Sequence, residues 1–91
     1  TCTDALNNYA NLLRTTKKDF VEAEKYYLKA LEICPDDVDV LTNYACLLCA
    51  LNRSREEIQV YYERALELDP THQDTLTNFA FFLHSYAKDY N

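Results

Sequence analysis

Apolar residues recur along this chain at helical rather than strand spacing. Between Asp4 and Leu13 they fall at Leu6, Tyr9, Ala10 and Leu13, the i, i+3, i+4, i+7 pattern of one helix face. Residues 14–18 are polar and read as a turn. Asp19 opens a second helix, because its carboxylate can accept from free backbone N–H groups and Glu22 three residues on completes a capping box. Phe20, Ala23, Tyr27, Ala30 and Leu31 carry its apolar stripe, and Pro35 cannot continue it. A third helix follows, capped by Asp36 or Asp37, with Leu41, Tyr44, Ala45 and Leu48 inward. After a turn at Asn52-Arg53, Ser54 and Glu57 form the capping box of a fourth helix, with Ile58, Tyr62, Ala65 and Leu66 inward and Pro70 at its end. Thr71 is then expected to cap a fifth helix whose inner face is Leu76, Phe79, Ala80 and Leu83, with His72 solvated in the loop before it. Asp89-Tyr90 matches Asp19-Phe20 at a separation of 70, so the start of a sixth helix is expected there.

The pattern is an internal repeat. Asn8-Tyr9-Ala10 returns as Asn43-Tyr44-Ala45 and as Asn78-Phe79-Ala80, each 35 residues on. Aligning residues 1–35 with 36–70 gives 14 identities, among them Leu6/Leu41, Tyr27/Tyr62, Ala30/Ala65 and Pro35/Pro70. A helix pair repeated at this period predicts an all-α solenoid of antiparallel helix pairs, since neither pair buries its apolar face alone. The predicted organisation is a single domain over 1–91, divided into repeats at 1–35 and 36–70 and a partial third at 71–91.

Composition narrows the function. The chain has no glycine, which removes every Gly-rich phosphate loop. Its net charge of −6 argues against nucleic acid and anionic membranes, where basic residues supply the attraction, and favours a protein or peptide partner, a basic one included. Cys2, Cys34, Cys46 and Cys49 read as free thiols, which points to a reducing compartment such as the cytoplasm. With no Met and a start at Thr1, the chain is expected to be a piece of a longer array.

Ala30-Leu31-Glu32-Ile33-Cys34-Pro35 and Ala65-Leu66-Glu67-Leu68-Asp69-Pro70 resemble the end of a tetratricopeptide repeat. On that resemblance, the large residue early in the first helix (A) of each repeat is Leu6, Leu41 or Leu76, and the small residue at the helix crossing is Ala10, Ala45 or Ala80. The aromatic of the second helix (B) is Tyr27 or Tyr62. The chain departs from the pattern in its added residue between helices A and B, in the missing turn glycine and in Ile58 where Ala23 stands. The pentatricopeptide repeat shares the 35-residue period and reads single-stranded RNA, but the acidic balance and the paired tyrosines disfavour it.

The resemblance implies a right-handed superhelix with A helices lining a concave groove. The groove stripe is then Asp4, Asn7, Asn8, Asn11 and Arg14 in the first repeat, Asp39, Thr42, Asn43, Cys46 and Cys49 in the second, and Asp74, Thr77, Asn78, Phe81 and His84 in the third. Asn8, Asn43 and Asn78 form a ladder. An amide offers an acceptor and two donors, so it can hold an extended peptide backbone whatever its side chains. This ladder resembles the one in the substrate arm of O-linked N-acetylglucosamine transferases. Asp4, Asp39 and Asp74 form a second ladder, suited either to the helix dipole or to selecting basic side chains. The carboxylate clamp of chaperone-binding repeats is not matched, since Asn7, Asp74 and Asn78 stand where it needs lysine or arginine.

Cys46-x-x-Cys49 with His84 lacks the fourth ligand of a structural zinc site and lies mid-helix, unlike a thioredoxin-type pair. No metal or cofactor is expected. No Ser/His/Asp or Cys/His set has the setting for catalysis. The expected function is a non-catalytic interaction module binding an extended peptide or a partner helix. The alternatives are the recognition arm of a larger enzyme and self-association through an uncovered face of the fifth helix around Phe79, Leu83 and Tyr86.

Overall fold

The computed structural model describes residues 3–89, with side chains to residue 85. Five α-helices follow in order: α1 Asp4–Leu12, α2 Phe20–Ile33, α3 Val38–Ala50, α4 Arg55–Leu68 and α5 Gln73–Asp89. They pack antiparallel in sequence, α1 on α2 and α3 on α4, with α2 against α3 and α4 against α5. The A helices α1, α3 and α5 also touch their neighbours directly. The molecule measures 42 × 29 × 19 Å. Its thinnest dimension is about two helix diameters of ~10 Å, one layer of A helices on one of B helices.

The local signals set the helix starts. Asp19 accepts from the Glu22 N–H at 3.3 Å and Ser54 from the Glu57 N–H at 3.2 Å. Asp37, rather than Asp36, caps α3 by accepting from the Asp39 and Val40 N–H groups. The fifth helix differs from expectation. Thr71 donates its hydroxyl back to Asp69, and His72 becomes the cap, its Nδ1 accepting the Thr75 N–H at 3.3 Å. Asp89 is the last described residue of α5, and the expected sixth helix, from Tyr90 on, lies outside the described residues.

The residue added between helices A and B is absorbed in two ways. In the first repeat, Leu13–Lys17 winds a π-helical turn, continuous with α1, in place of the expected irregular turn. In the second, the Arg53 N–H closes on the Leu48 carbonyl at 3.1 Å. Both connections need a left-handed residue, Lys18 at φ 56° and Asn52 at φ 58°. Asn tolerates that region, whereas Lys pays for the contact of its Cβ with the carbonyl oxygen, about 1–2 kcal/mol. Lys18→Gly should therefore raise stability by roughly 0.5–1 kcal/mol in urea unfolding, and Asn52→Gly should change it little. Equal responses at the two sites would contradict this account.

The core is a line of small and aromatic side chains. Ala10, Ala23, Ala30, Ala45 and Ala65 are fully buried, which lets the helices approach closely, and Tyr27, Tyr44 and Tyr62 fill the space between pairs. Tyr26 meets Tyr9 edge-on with ring centroids 4.8 Å apart, and Tyr61 meets Tyr44 in the same way at 4.9 Å.

Equivalent residues differ in burial according to their place in the array. Leu12 is exposed while Leu47 and Phe82 are buried, so this position faces the preceding repeat. Ala10, Ala45, Leu13 and Leu48 are buried while Ala80 and Leu83 are exposed, so these positions face the B helix of their own repeat. Leu76, Ala80 and Leu83 were expected inside. They are exposed because no described B helix covers α5, and only Phe79 of that stripe is part-buried, stacked on Tyr62. Tyr9, also expected inside, is 45% exposed, because no described repeat packs on that side of α1.

Candidate functional site

The A-helix layer carries the expected stripe, but its members differ in what they can offer. Asn8 is exposed, and Asn43 and Asn78 are part-buried. Asn43 spends one amide N–H on the Asn7 Oδ1 at 3.2 Å, so the ladder is tied to the first repeat by an amide-to-amide bond. Asn11 is held inside the first repeat, accepting from the Tyr27 hydroxyl and, at 3.5 Å, from Arg14 Nη2. Arg14 Nε also donates to the Tyr27 hydroxyl at 3.1 Å.

Thr42 is a correction to the stripe. It is 1% exposed, and its hydroxyl lies between the Val38 carbonyl and Thr75 Oγ1 in the seam between α3 and α5. The position faces the next A helix, which explains why its equivalent Thr77 is exposed. His72 belongs to the same seam and is not solvated: Nδ1 meets Thr75 Oγ1 at 2.7 Å, and Nε2 meets Asp39 Oδ1 at 2.9 Å. In the preceding seam, Thr3 donates to the capping carboxylate of Asp37 at 2.6 Å. Helix caps therefore join neighbouring A helices twice. Asp4, Asp39 and Asp74 are all exposed, and Asp39 accordingly serves both the surface and the seam.

Cys46, Cys49, Asn78 and Phe81 come together. With Ile58, Tyr62 and their neighbours they line a cleft of about 500 Å³ between α3, the start of α4 and α5. Phe81 is 70% exposed at its edge. Cys46 Sγ lies 3.5 Å from the Tyr62 hydroxyl. Burial pushes the Cys49 thiol up, as does the neighbouring Cys46. Burial also raises Tyr62. His84 is exposed and lies outside the cleft lining. Arg53, on the cleft wall, is engaged by Glu24 at 3.0 Å and Glu57 at 3.3 Å, and Tyr44 donates to Glu24 at 2.9 Å. Among the described residues no three His, Cys, Asp or Glu side chains are grouped as metal ligands, and no helix is long and apolar enough to cross a membrane.

Two tetratricopeptide repeat models match the sequence, one over residues 3–37 and one over 26–59. The chain belongs to the tetratricopeptide repeat family. Tetratricopeptide repeats are generally protein–protein interaction modules, and only such repeats are found here. No curated protein matches the chain. The second matched segment begins within α2 and runs through α3 into α4, so the family pattern spans the junction between repeats as well as the hairpin.

The tetratricopeptide pattern points to the stripe but not to Arg53, Ile58, Phe82 and Ser85 as cleft lining. A signal for Phe82 exists, because it falls 35 residues after Leu47, which is itself buried. The inter-repeat contacts of Asn7 and His72 had none, since they depend on a partner one repeat away.

Proposed function

We propose that this tetratricopeptide array is a non-catalytic module that holds an extended peptide against its A-helix layer. Asn8, Asn43 and Asn78 would bind the peptide backbone, and the Asp4, Asp39 and Asp74 row would favour basic side chains beside it. The supporting observation is the return of an incompletely buried asparagine on three successive A helices at a spacing of 35 residues. Neighbouring helices stand about 8–10 Å apart, so an extended chain rising ~3.3 Å per residue meets an amide about every third residue. The surplus of acidic residues, 15 against 9 basic, accords with a basic ligand.

Asn43→Ala should weaken binding of a captured peptide about three- to tenfold, the worth of one or two net hydrogen bonds. Asn8→Ala is the control for the bond that Asn43 makes to Asn7, because Asn8 is exposed and its loss leaves that bond intact. Fluorescence anisotropy with labelled peptides from a random library reads both. Unchanged affinity in both variants would remove the ladder from the mechanism.

A further inference from the structure

The two full repeats differ at two groove positions, and that difference makes a cavity. In the first repeat, Asn11 and Arg14 close over the Tyr27 hydroxyl, and the guanidinium occupies the space beside it. Their equivalents 35 residues on are Cys46 and Cys49, beside Tyr62. These side chains are too short to fill the same space, and the result is the cleft of about 500 Å³. That volume falls within the ~300–1,000 Å³ usual for ligand sites.

We propose that this cleft is the anchor site of the groove, taking one large uncharged aliphatic or aromatic side chain of the bound peptide. The inference rests on the peptide-binding reading above and adds its specificity. The walls are suited to such a group: Cys46, Cys49, Ile58, Tyr62 and Phe81 present carbon, sulfur and a phenol. Among the described residues of the lining the cation is Arg53, which already faces two carboxylates, so a charged anchor would gain little. Asn78 at the rim places a backbone-binding amide beside the anchor.

The cleft also resolves a difficulty of the ladder. Equivalent asparagines every repeat hold a backbone equally well in several registers. A single anchor site selects one. Charge complementarity then sets the neighbouring residue. Asp74 is exposed seven positions before Phe81 on α5, about 10 Å at 1.5 Å per residue. Asn78 lies between them on α5, so a peptide crossing α5 at that amide brings a neighbouring Lys or Arg side chain within reach of Asp74. The ligand class is therefore an extended peptide with a large apolar residue and a Lys or Arg close to it in sequence.

The test pans a random nine-residue peptide library with the wild-type chain. The expected outcome is a shared large apolar position with a basic residue close to it. Cys46→Asn/Cys49→Arg transplants the closed arrangement of the first repeat onto Tyr62 and should weaken the selected peptides at least tenfold. Phe81→Ala changes a side chain that is mostly exposed. It should weaken them several-fold with an unchanged melting curve, so it decides the matter should the double variant fold poorly. Selected peptides without a shared apolar position overturn the anchor site. So do peptides that bind the folded variants as tightly as wild type. In both cases the groove reading stands if Asn43→Ala still weakens them. A library that yields no binder overturns both.

Discussion

Tyr62→Ala should cost about 3–5 kcal/mol and leave little cooperative unfolding at 37 °C. Truncating a buried aromatic ordinarily carries that penalty, because a cavity is left where the ring was. Tyr62 is 2% exposed and joins three elements. It stacks on Phe79 with centroids 5.3 Å apart, touches Phe82 at 5.6 Å, and its hydroxyl meets Cys46. Those contacts hold α5 to the second repeat, and α5 has no described B helix of its own to take over. Domains of this size keep roughly 5–15 kcal/mol in total, so the loss is a large share. Thermal melting and urea unfolding by circular dichroism provide the measurement. Tyr62→Phe separates the ring from the hydroxyl and should cost about 1 kcal/mol, the net worth of one hydrogen bond. A Tyr62→Ala chain that melts within a few degrees of wild type would mean that α5 is held elsewhere.

The second large effect is alkaline unfolding. Tyr27, Tyr44 and Tyr62 are all raised above the ordinary 10.0, in each case chiefly by burial. At Tyr44 the Glu24 carboxylate that accepts its hydroxyl adds to the rise, and at Tyr62 the Cys46 thiol does so. A phenol is neutral when protonated. The folded chain therefore keeps protons that the unfolded chain releases above pH 10. This contribution is complete below pH 10 and is lost as pH rises toward the folded values. Each such phenol removes up to ~1.4 kcal/mol per pH unit above 10. Tyr44 and Tyr62 together remove up to about 3 kcal/mol per unit, with Tyr27 acting in the same direction, enough to unfold a domain of ordinary stability near pH 12. Absorbance at 295 nm and circular dichroism should change together, with these phenols ionising as the helices melt. Full ionisation of all eight tyrosines with the helices intact would contradict this. Tyr44→Phe should shift the transition upward.

The features legible in the sequence are those set by short-range chemistry. Asp19/Glu22 and Ser54/Glu57 announced two helix starts because a cap and its N–H lie within one turn. The repeat announced the hairpins because Ala10, Ala45, Tyr27 and Tyr62 recur at fixed spacing, and burial follows from that. Features that depend on a neighbouring repeat were not legible. Helical spacing puts Thr42 on the same face as Asn43, and only the position of α5 reveals that Thr42 is covered. Leu76 and Leu83 carry the right residues for a core, but burial also needs a second surface. The cleft is a different case. Its trace is in the sequence as a mismatch, Asn11 and Arg14 against Cys46 and Cys49, yet the mismatch acquires meaning only once Arg14 is seen over Tyr27.

The paired caps carry a consequence for motion. Thr3 grips the carboxylate that starts α3, while Asp39, from the first turn of α3, grips the imidazole that starts α5. Fraying of one A helix at its beginning thus removes a support from the beginning of the next. Local opening would spread along the row of N-termini before it crossed to the B layer, although solenoid units otherwise open with near-neighbour independence. The edge bearing the acidic row behaves as one zipper, and a ligand that neutralises Asp39 or Asp74 there would stiffen more than the repeat it touches.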